Sequence, residues 1–310
     1  MRYKKFGKTG LDVSVIGMGT WVIGGDHWGK VSDEDSIAAI QAMIRNGVNL
    51  IDTAPGYNWG HSEKIVGRAI HEMRDKVLIS TKGGITPPDF GRNSSREYLF
   101  EDVDRSLQNL QIDCIDFYFI HWPDENTPFE ITMKALEDMK KAGKIRFIGV
   151  SNFTQKQIED ASQFGTIDVL QSPYSMVDRS QEALIRWAAG RGIATMSYAS
   201  MGSGILSGSY RKIPEFTADD YRITFYDYFK EPKFSKIMKL LTVMDGIAAK
   251  YGATPGQVAI NWSTQKDFIS TALIGVRNVR HADEDCNGFK WQLTAEEINL
   301  LDSKIEEYLA

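Results

Sequence analysis

Short apolar runs rich in β-branched residues alternate along the chain with longer stretches in which apolar positions recur every three or four residues, and the pair repeats about every 25 to 40 residues. This is the βα rhythm of a parallel sheet. It predicts strands at 15–20, 48–52, 77–82, 117–121, 147–151, 169–171, 194–198 and 269–274. Between them, Ile37/Ile40/Ile44, Val103/Leu107/Leu110 and Leu136/Met139 each form one buried helical stripe. Ser62 is placed to cap a helix starting at Glu63, and Thr294 with Glu297 three residues on makes a capping box for a last helix ending near Tyr308.

Eight such units in about 260 residues favour a closed (β/α)8 TIM barrel over an open doubly wound sheet, whose phosphate site needs a GxGxxG after the first strand. That motif is absent. Segment 202–232, with its Gly, Ser, Pro and scattered aromatics, is too long for an ordinary connection and reads as a flap after strand seven, where barrels place functional loops. With no linker and no repeat beyond the βα rhythm, residues 1–310 are expected to form one barrel domain with an extra C-terminal helix.

Composition narrows the partners. Hydrophobic residues at 42% and charged residues at 25% exclude disorder and collagen. A net charge of -5 without a Lys/Arg block argues against nucleic acid and anionic membranes, leaving a small metabolite. Cys114 and Cys286 lack a CxxC spacing, so neither a disulfide framework nor a zinc knuckle is expected. With no signal-peptide core and no long apolar run, the expectation is a cytoplasmic protein, monomeric by default.

Candidate chemistry lies where the strands end. Thr20, Asp52, Lys82, His121, Asn152, Gln171 and Tyr198 stand at or just past the C-terminal ends of apolar runs, which in a barrel form the mouth. Tyr57 follows Asp52 on a loop short enough to fold back over it. A phenol with an ammonium beside it is a better acid or base, so Lys82 suits Tyr57, Asp52 balances Lys82, and His121 can orient a carbonyl oxygen. His27, His61, His71 and His281 show no HxH or HExxH pattern, so no metal is expected. Trp28, Trp59 and Trp122 border the predicted mouth, whereas Trp187, Trp262 and Trp291 read as core.

The segments IGMGTW, GVNLIDTAPGYNWGHSEKIVGRAI, LISTKGG, FYFIHWPDE and GKIRFIGVSNF, in this order, resemble the aldo-keto reductase superfamily over essentially the whole chain. They look closest to the bacterial branch of general stress and inositol-cluster reductases. The resemblance implies an oxidoreductase that binds NADP(H) without a Rossmann motif and reversibly reduces an aldehyde or ketone, sugar- and polyol-derived carbonyls among them, to an alcohol. It carries the family's catalytic tetrad onto Asp52, Tyr57, Lys82 and His121. Gly19, Thr20 and Trp21 then border the cofactor, Ser151, Asn152 and Gln171 hold the nicotinamide carboxamide, and Tyr198 stacks on its ring. Trp21, Tyr57, His121 and Trp122 face the substrate.

YASMGSGILSGSY resembles the pyrophosphate loop, assigning Ala199, Ser200, Met201, Gly202, Ser203, Leu206 and Gly208 to the cofactor. Relatives often carry basic residues where this chain has Ser203 and Ser209, a loss that Arg211 or Lys212 could make good. ALIGVRNVRHADEDCNG resembles the adenosine site, with Gly275, Val276, Arg277 toward the 2′-phosphate, His281, Glu284 near the adenine amine, and Asp285. The negative charge of Asp285 keeps NAD(H) open as the cofactor. Two other readings stand beside the reductase: a non-catalytic nicotinamide-binding subunit of the potassium-channel β type, and a barrel hydrolase or lyase using Asp52 or Glu63 as acid and base.

Overall fold

The computed structural model describes residues 1–23, 28–29, 31–217 and 220–309. The chain opens with an antiparallel hairpin, β1 (Tyr3–Lys5) and β2 (Asp12–Ser14). The barrel strands β3 (Ile16–Gly19), β4 (Leu50–Asp52) and β5 (Leu78–Gly83) follow. A second hairpin, β6 (Ile85–Thr86) and β7 (Gly91–Arg92), precedes β8 (Ile115–Ile120) and β9 (Ile145–Ser151). The last strands are β10 (Val169–Pro173), β11 (Ala194–Tyr198) and β12 (Thr271–Gly275). Eight of these close into a parallel barrel in the order β10-β11-β12-β3-β4-β5-β8-β9. All eight predicted strands are present, with ends shifted by no more than two residues at most positions. The prediction missed both hairpins, because runs of two or three residues are too short to show an alternation.

Helices follow from caps and apolar stripes. Ser32 accepts from the Asp35 N–H, and the acidic residues Asp33, Glu34 and Asp35 complement the N-terminal dipole of helix Asp33–Arg45. Thr294 and Glu297 exchange the two bonds of the predicted capping box and start helix Ala295–Leu309. Ser62 is a correction: the helix spans His61–Ile70, with Gly60 at φ 88° as its cap, so Ser62 lies inside the first turn. Its hydroxyl instead meets the Thr20 and Thr53 hydroxyls at 2.7 and 3.0 Å, tying this helix to the barrel wall.

The barrel interior is filled by Leu50, Phe117, Phe119, Val169, Met196 and Leu273, and Phe6 from the first hairpin closes its lower end, 5.1 Å from the Phe117 ring. A second apolar layer lies between strands and helices. A third packs helices Lys233–Tyr251, Pro255–Thr264 and Ala295–Leu309 around the fully buried Trp262. Trp262 is core as predicted, while Trp187 and Trp291 are only partly covered and Trp291 stacks on Tyr251. Among the described residues no helix is long and apolar enough to cross a membrane.

Helix His61–Ile70 approaches its neighbour backbone to backbone at Gly67, where an added Cβ would lie 2.6 Å from the Leu110 carbonyl oxygen. A backbone atom cannot swing aside, so Gly67→Ala is expected to destabilise the fold by about 1–3 kcal/mol. The check is thermal unfolding followed by circular dichroism, in which an unchanged midpoint would contradict this packing.

Candidate active site

Parallel register brings the titratable residues together. Asp52 at the end of β4 pairs with Ser80 on β5, and two residues further along the same face Lys82 also points inward. The Lys82 ammonium is buried and donates three hydrogen bonds: to Asp52 Oδ2 at 2.7 Å, the Thr53 carbonyl at 2.9 Å and Tyr57 Oη at 3.1 Å. All three N–H donors are thereby used. The second Asp52 oxygen accepts from Ser80 Oγ at 2.6 Å and Gln171 Nε2 at 3.0 Å.

Tyr57 reaches this pair because the loop after β4 coils tightly. Asn58, Trp59 and Gly60 take consecutive positive φ values of 51°, 48° and 88°, a conformation unusual for a Trp and one that turns the phenol back over the mouth. The His121 ring stands edge-on to Tyr57 with centroids 6.0 Å apart. His121 lies just past the end of β8, where the predicted strand included it.

Burial and charge set the protonation of the group. Burial pushes the Tyr57 phenol up, and although Lys82 pulls it back, it stays above its ordinary value. Burial opposes the charge of Lys82, but Asp52 and Tyr57 outweigh it and hold the ammonium above its usual range. His121 is driven well below the usual imidazole range by burial and by Lys82, so it is neutral at pH 7. Lys82 acts on Tyr57 in the expected direction, toward the phenolate, but burial outweighs it and the net shift is upward.

Beside these stand the amide residues. Tyr198 Oη donates to Asn152 Oδ1 at 2.9 Å, and Asn152 Nδ2 donates to the His121 carbonyl at 3.0 Å and Ser151 Oγ at 3.1 Å. Asn152 has a φ of 62°, which lets its side chain turn back across the strand end. Thr20 is fully buried, its hydroxyl donating to the Asp52 carbonyl at 2.9 Å, so it belongs to the wall under the site. Glu63 points outward behind β5, where Thr81 Oγ1 and Asn109 Nδ2 donate to it, away from the mouth that the hydrolase reading requires.

Aromatic side chains frame the opening. Trp21 lies nearly parallel to Tyr57 at 6.1 Å, and Trp28, Tyr221 and Phe225 pack around Trp21. Trp59 meets Phe90 at 4.9 Å, and Arg92 lies over Trp122 at 5.2 Å. Phe90 and Arg92 belong to the β6–β7 hairpin, and Tyr221 and Phe225 to the long segment after β11. Tyr221 and Phe225 fall in the flap expected after strand seven, though neither was singled out; Phe90 and Arg92 were missed, and only the turn-rich ITPPDFGR could have signalled their hairpin.

After β11 the backbone adopts positive φ at Ala199, Gly202, Ser203, Gly204 and Gly208. Ser200 turns its hydroxyl onto Ser197, Leu206 is core, and Met201 packs against Gly256. Arg211 forms a two-pronged pair with Asp245 and also donates to the Gly208 carbonyl; Ser209 and Lys212 are exposed. At the other side Gly275 of β12 pairs with Gly19 of β3, Val276 is buried, and Arg277 donates to the Trp28 carbonyl. Asn278 caps helix Val279–Asn287 through the His281 N–H, and this helix carries His281, Glu284 and Asp285. Burial and Glu284 push the Asp285 carboxyl up to about 7, so its charge is half-titrated near neutrality. A separate open groove of about 790 Å³ runs along the helix between Glu284 and the Tyr251–Trp291 stack and holds none of the four titratable mouth residues. His61 bonds Asp33, and His27 lies outside the described residues.

The sequence profile of the aldo/keto reductase family matches residues 15–306. The chain belongs to this family. It is 34% identical to aldo-keto reductase YhdN of Bacillus subtilis, over 100% of this chain and 95% of that protein. It is 33% identical to the NADH-specific methylglyoxal reductase of Escherichia coli, over 89% of each. Among solved structures, the glycerol dehydrogenase of Gluconobacter oxydans superposes with a TM-score of 0.88 at 30% identity, covering 96% of this chain and 93% of that one. An oxidoreductase acting on carbonyl compounds is what membership implies, and the eight-stranded barrel is the fold its relatives share.

Proposed function

We propose that this protein is an NADP(H)-dependent carbonyl reductase in which Tyr57 delivers the proton to the carbonyl oxygen. The observation that carries the reading is the buried Lys82–Asp52 pair with the Tyr57 phenol on its third donor. The bound dinucleotide supplies the hydride.

The residues suit such a cofactor. Gly202, Gly204 and Gly208 hold the backbone in a curve that side chains would block, and Ser203 Oγ is buried beside the Tyr226 phenol without a well-formed hydrogen bond. Arg277 offers the paired donors that a phosphate dianion prefers. Asp285, with its carboxyl raised to about 7, opposes that phosphate less than a fully charged carboxylate would. Ser151, Asn152 and Gln171 can hold an amide, and the Tyr198 face can back a planar ring.

In the reduction direction, neutral His121 donates a hydrogen bond to the carbonyl oxygen and orients it without competing as an acid. Tyr57, protonated at neutral pH like any phenol and pushed further that way by burial, gives its proton to that oxygen as negative charge develops. Lys82 stabilises the phenolate left behind, and Asp52 keeps Lys82 charged and in place. Substrates enter between Trp21, Trp122 and the segment after β11. The likeness to a methylglyoxal reductase and a glycerol dehydrogenase supports a small oxygenated carbonyl or polyol as substrate.

Tyr57→Phe keeps the ring and removes the proton. It is expected to lower kcat for aldehyde reduction by about 10²–10⁴-fold while NADPH binding, followed by tryptophan fluorescence, stays within about twofold of the parent. Retained turnover would remove Tyr57 from the mechanism. The pH profile provides a separate check. With His121 neutral throughout, kcat/KM for reduction should be flat from about pH 5.5 to 9 and fall only above about pH 10, as the phenol ionises. The reverse oxidation, which needs the phenolate, should rise across the same upper range. An inflection near pH 6.5 would assign the proton to His121 instead.

A further inference from the structure

The segment after β11 places a second charge pair beside Arg277. Asp220 caps the short helix Tyr221–Thr224, accepting the Arg222 N–H at 2.8 Å, and its carboxylate also receives Arg222 Nε at 2.8 Å and Nη2. Arg222 Nη1 donates to Tyr210 Oη at 2.6 Å, and its guanidinium lies 4.3 Å from the Phe216 ring centroid. The two charged side chains are only 6% and 12% exposed, so this is a fixed pair and not a fluctuating surface contact. Trp28 links it to Arg277. The Trp28 carbonyl accepts from Arg277 Nη2, and the Trp28 ring lies 6.0 Å from the Arg222 guanidinium. Arg277 feels both charges: Arg222 disfavours its protonated form and Asp220 favours it.

The chemistry of this trio matches the one difference between the two nicotinamide dinucleotides. A 2′-phosphate is a dianion and gains from every uncompensated guanidinium near it, whereas a ribose 2′-hydroxyl is neutral and gains from a carboxylate acceptor. Among the described residues no carboxylate pairs with Arg277, while Asp220 cancels Arg222. We propose that the Asp220–Arg222 pair sets the choice between NADPH and NADH, with Asp220 holding back the second cation that would otherwise make the site strongly selective for NADPH. The inference rests on the reading that the adenosine end of the dinucleotide lies against Arg277.

The test is the dissociation constant of NADPH and of NADH, each from quenching of tryptophan fluorescence at fixed ionic strength, for the parent, Asp220→Asn and Arg222→Gln. Asparagine keeps the size of Asp220 and an Oδ1 acceptor for the helix cap, and replaces the Oδ2 that receives Arg222 Nη2 with an amide NH2, so Arg222 loses its charge partner. Asp220→Asn is expected to tighten NADPH by about tenfold and to leave NADH within about threefold. Arg222→Gln exposes the Asp220 charge and is expected to weaken NADPH by about tenfold with NADH again little changed. Because the two variants move the NADPH/NADH ratio in opposite directions, a general loss of packing cannot imitate the result, and Arg222→Gln serves if Asp220→Asn fails to fold. A ratio within about twofold of the parent in every variant that folds overturns the proposal. If the parent binds neither dinucleotide, the reductase reading falls and takes the proposal with it; unchanged ratios with normal binding sink the proposal alone.

Discussion

A lysine ammonium buried at the floor of the barrel mouth is the constraint around which the site is built. Removing such a charge from water costs several kcal/mol unless every donor is matched. Here Asp52, the Thr53 carbonyl and the Tyr57 phenol match all three. None of these partners is dispensable, and each comes from a different feature: a neighbouring strand, the start of the next loop, and the left-handed coil at Asn58, Trp59 and Gly60 that returns Tyr57 to the mouth.

The requirement spreads outward. Asp52 must be held to hold Lys82, so Ser80 and Gln171 satisfy its other oxygen, and Gln171 reaches it from across the barrel on β10. Helix His61–Ile70 is tied to the barrel wall by Ser62, which bonds Thr20 and Thr53, and packs closely on the end of the neighbouring helix Arg96–Leu110, where Gly67 lies against the Leu110 carbonyl. The same network disposes the chemistry. Lys82 also helps to keep His121 neutral, which in the proposed mechanism leaves Tyr57 as the acid and His121 as a hydrogen-bond donor.

Much of this was legible in the sequence because it rests on periodicity and on strand ends. The eight βα units point to the barrel, and Asp52, Lys82 and His121 stand out as titratable residues that close apolar runs. Four things were hidden. The sign of the Tyr57 shift depends on how deeply the phenol is covered, which no spacing reports. Ser62 looks like a cap by local pattern, but its tertiary partners on the wall compete for the hydroxyl. The hairpin that brings Phe90 and Arg92 to the mouth has strands of two residues, below the length at which alternation can be read. Arg222 was invisible as well, since nothing in 202–232 shows that its charges fold back toward Trp28 and Arg277.

The central claim is that this constellation gives a proton to a carbonyl group whose carbon takes a hydride from a bound nicotinamide dinucleotide. Its most direct test is deuterium transfer from each of the two stereospecifically 4-deuterated forms of NADPH to a panel of short aldehydes, with the alcohols analysed by mass spectrometry. On the proposal that Tyr198 covers one face of the nicotinamide ring, the account predicts deuterium on the carbinol carbon from one labelled form and none from the other. Alcohol labelled equally by both forms, or by neither, would contradict it.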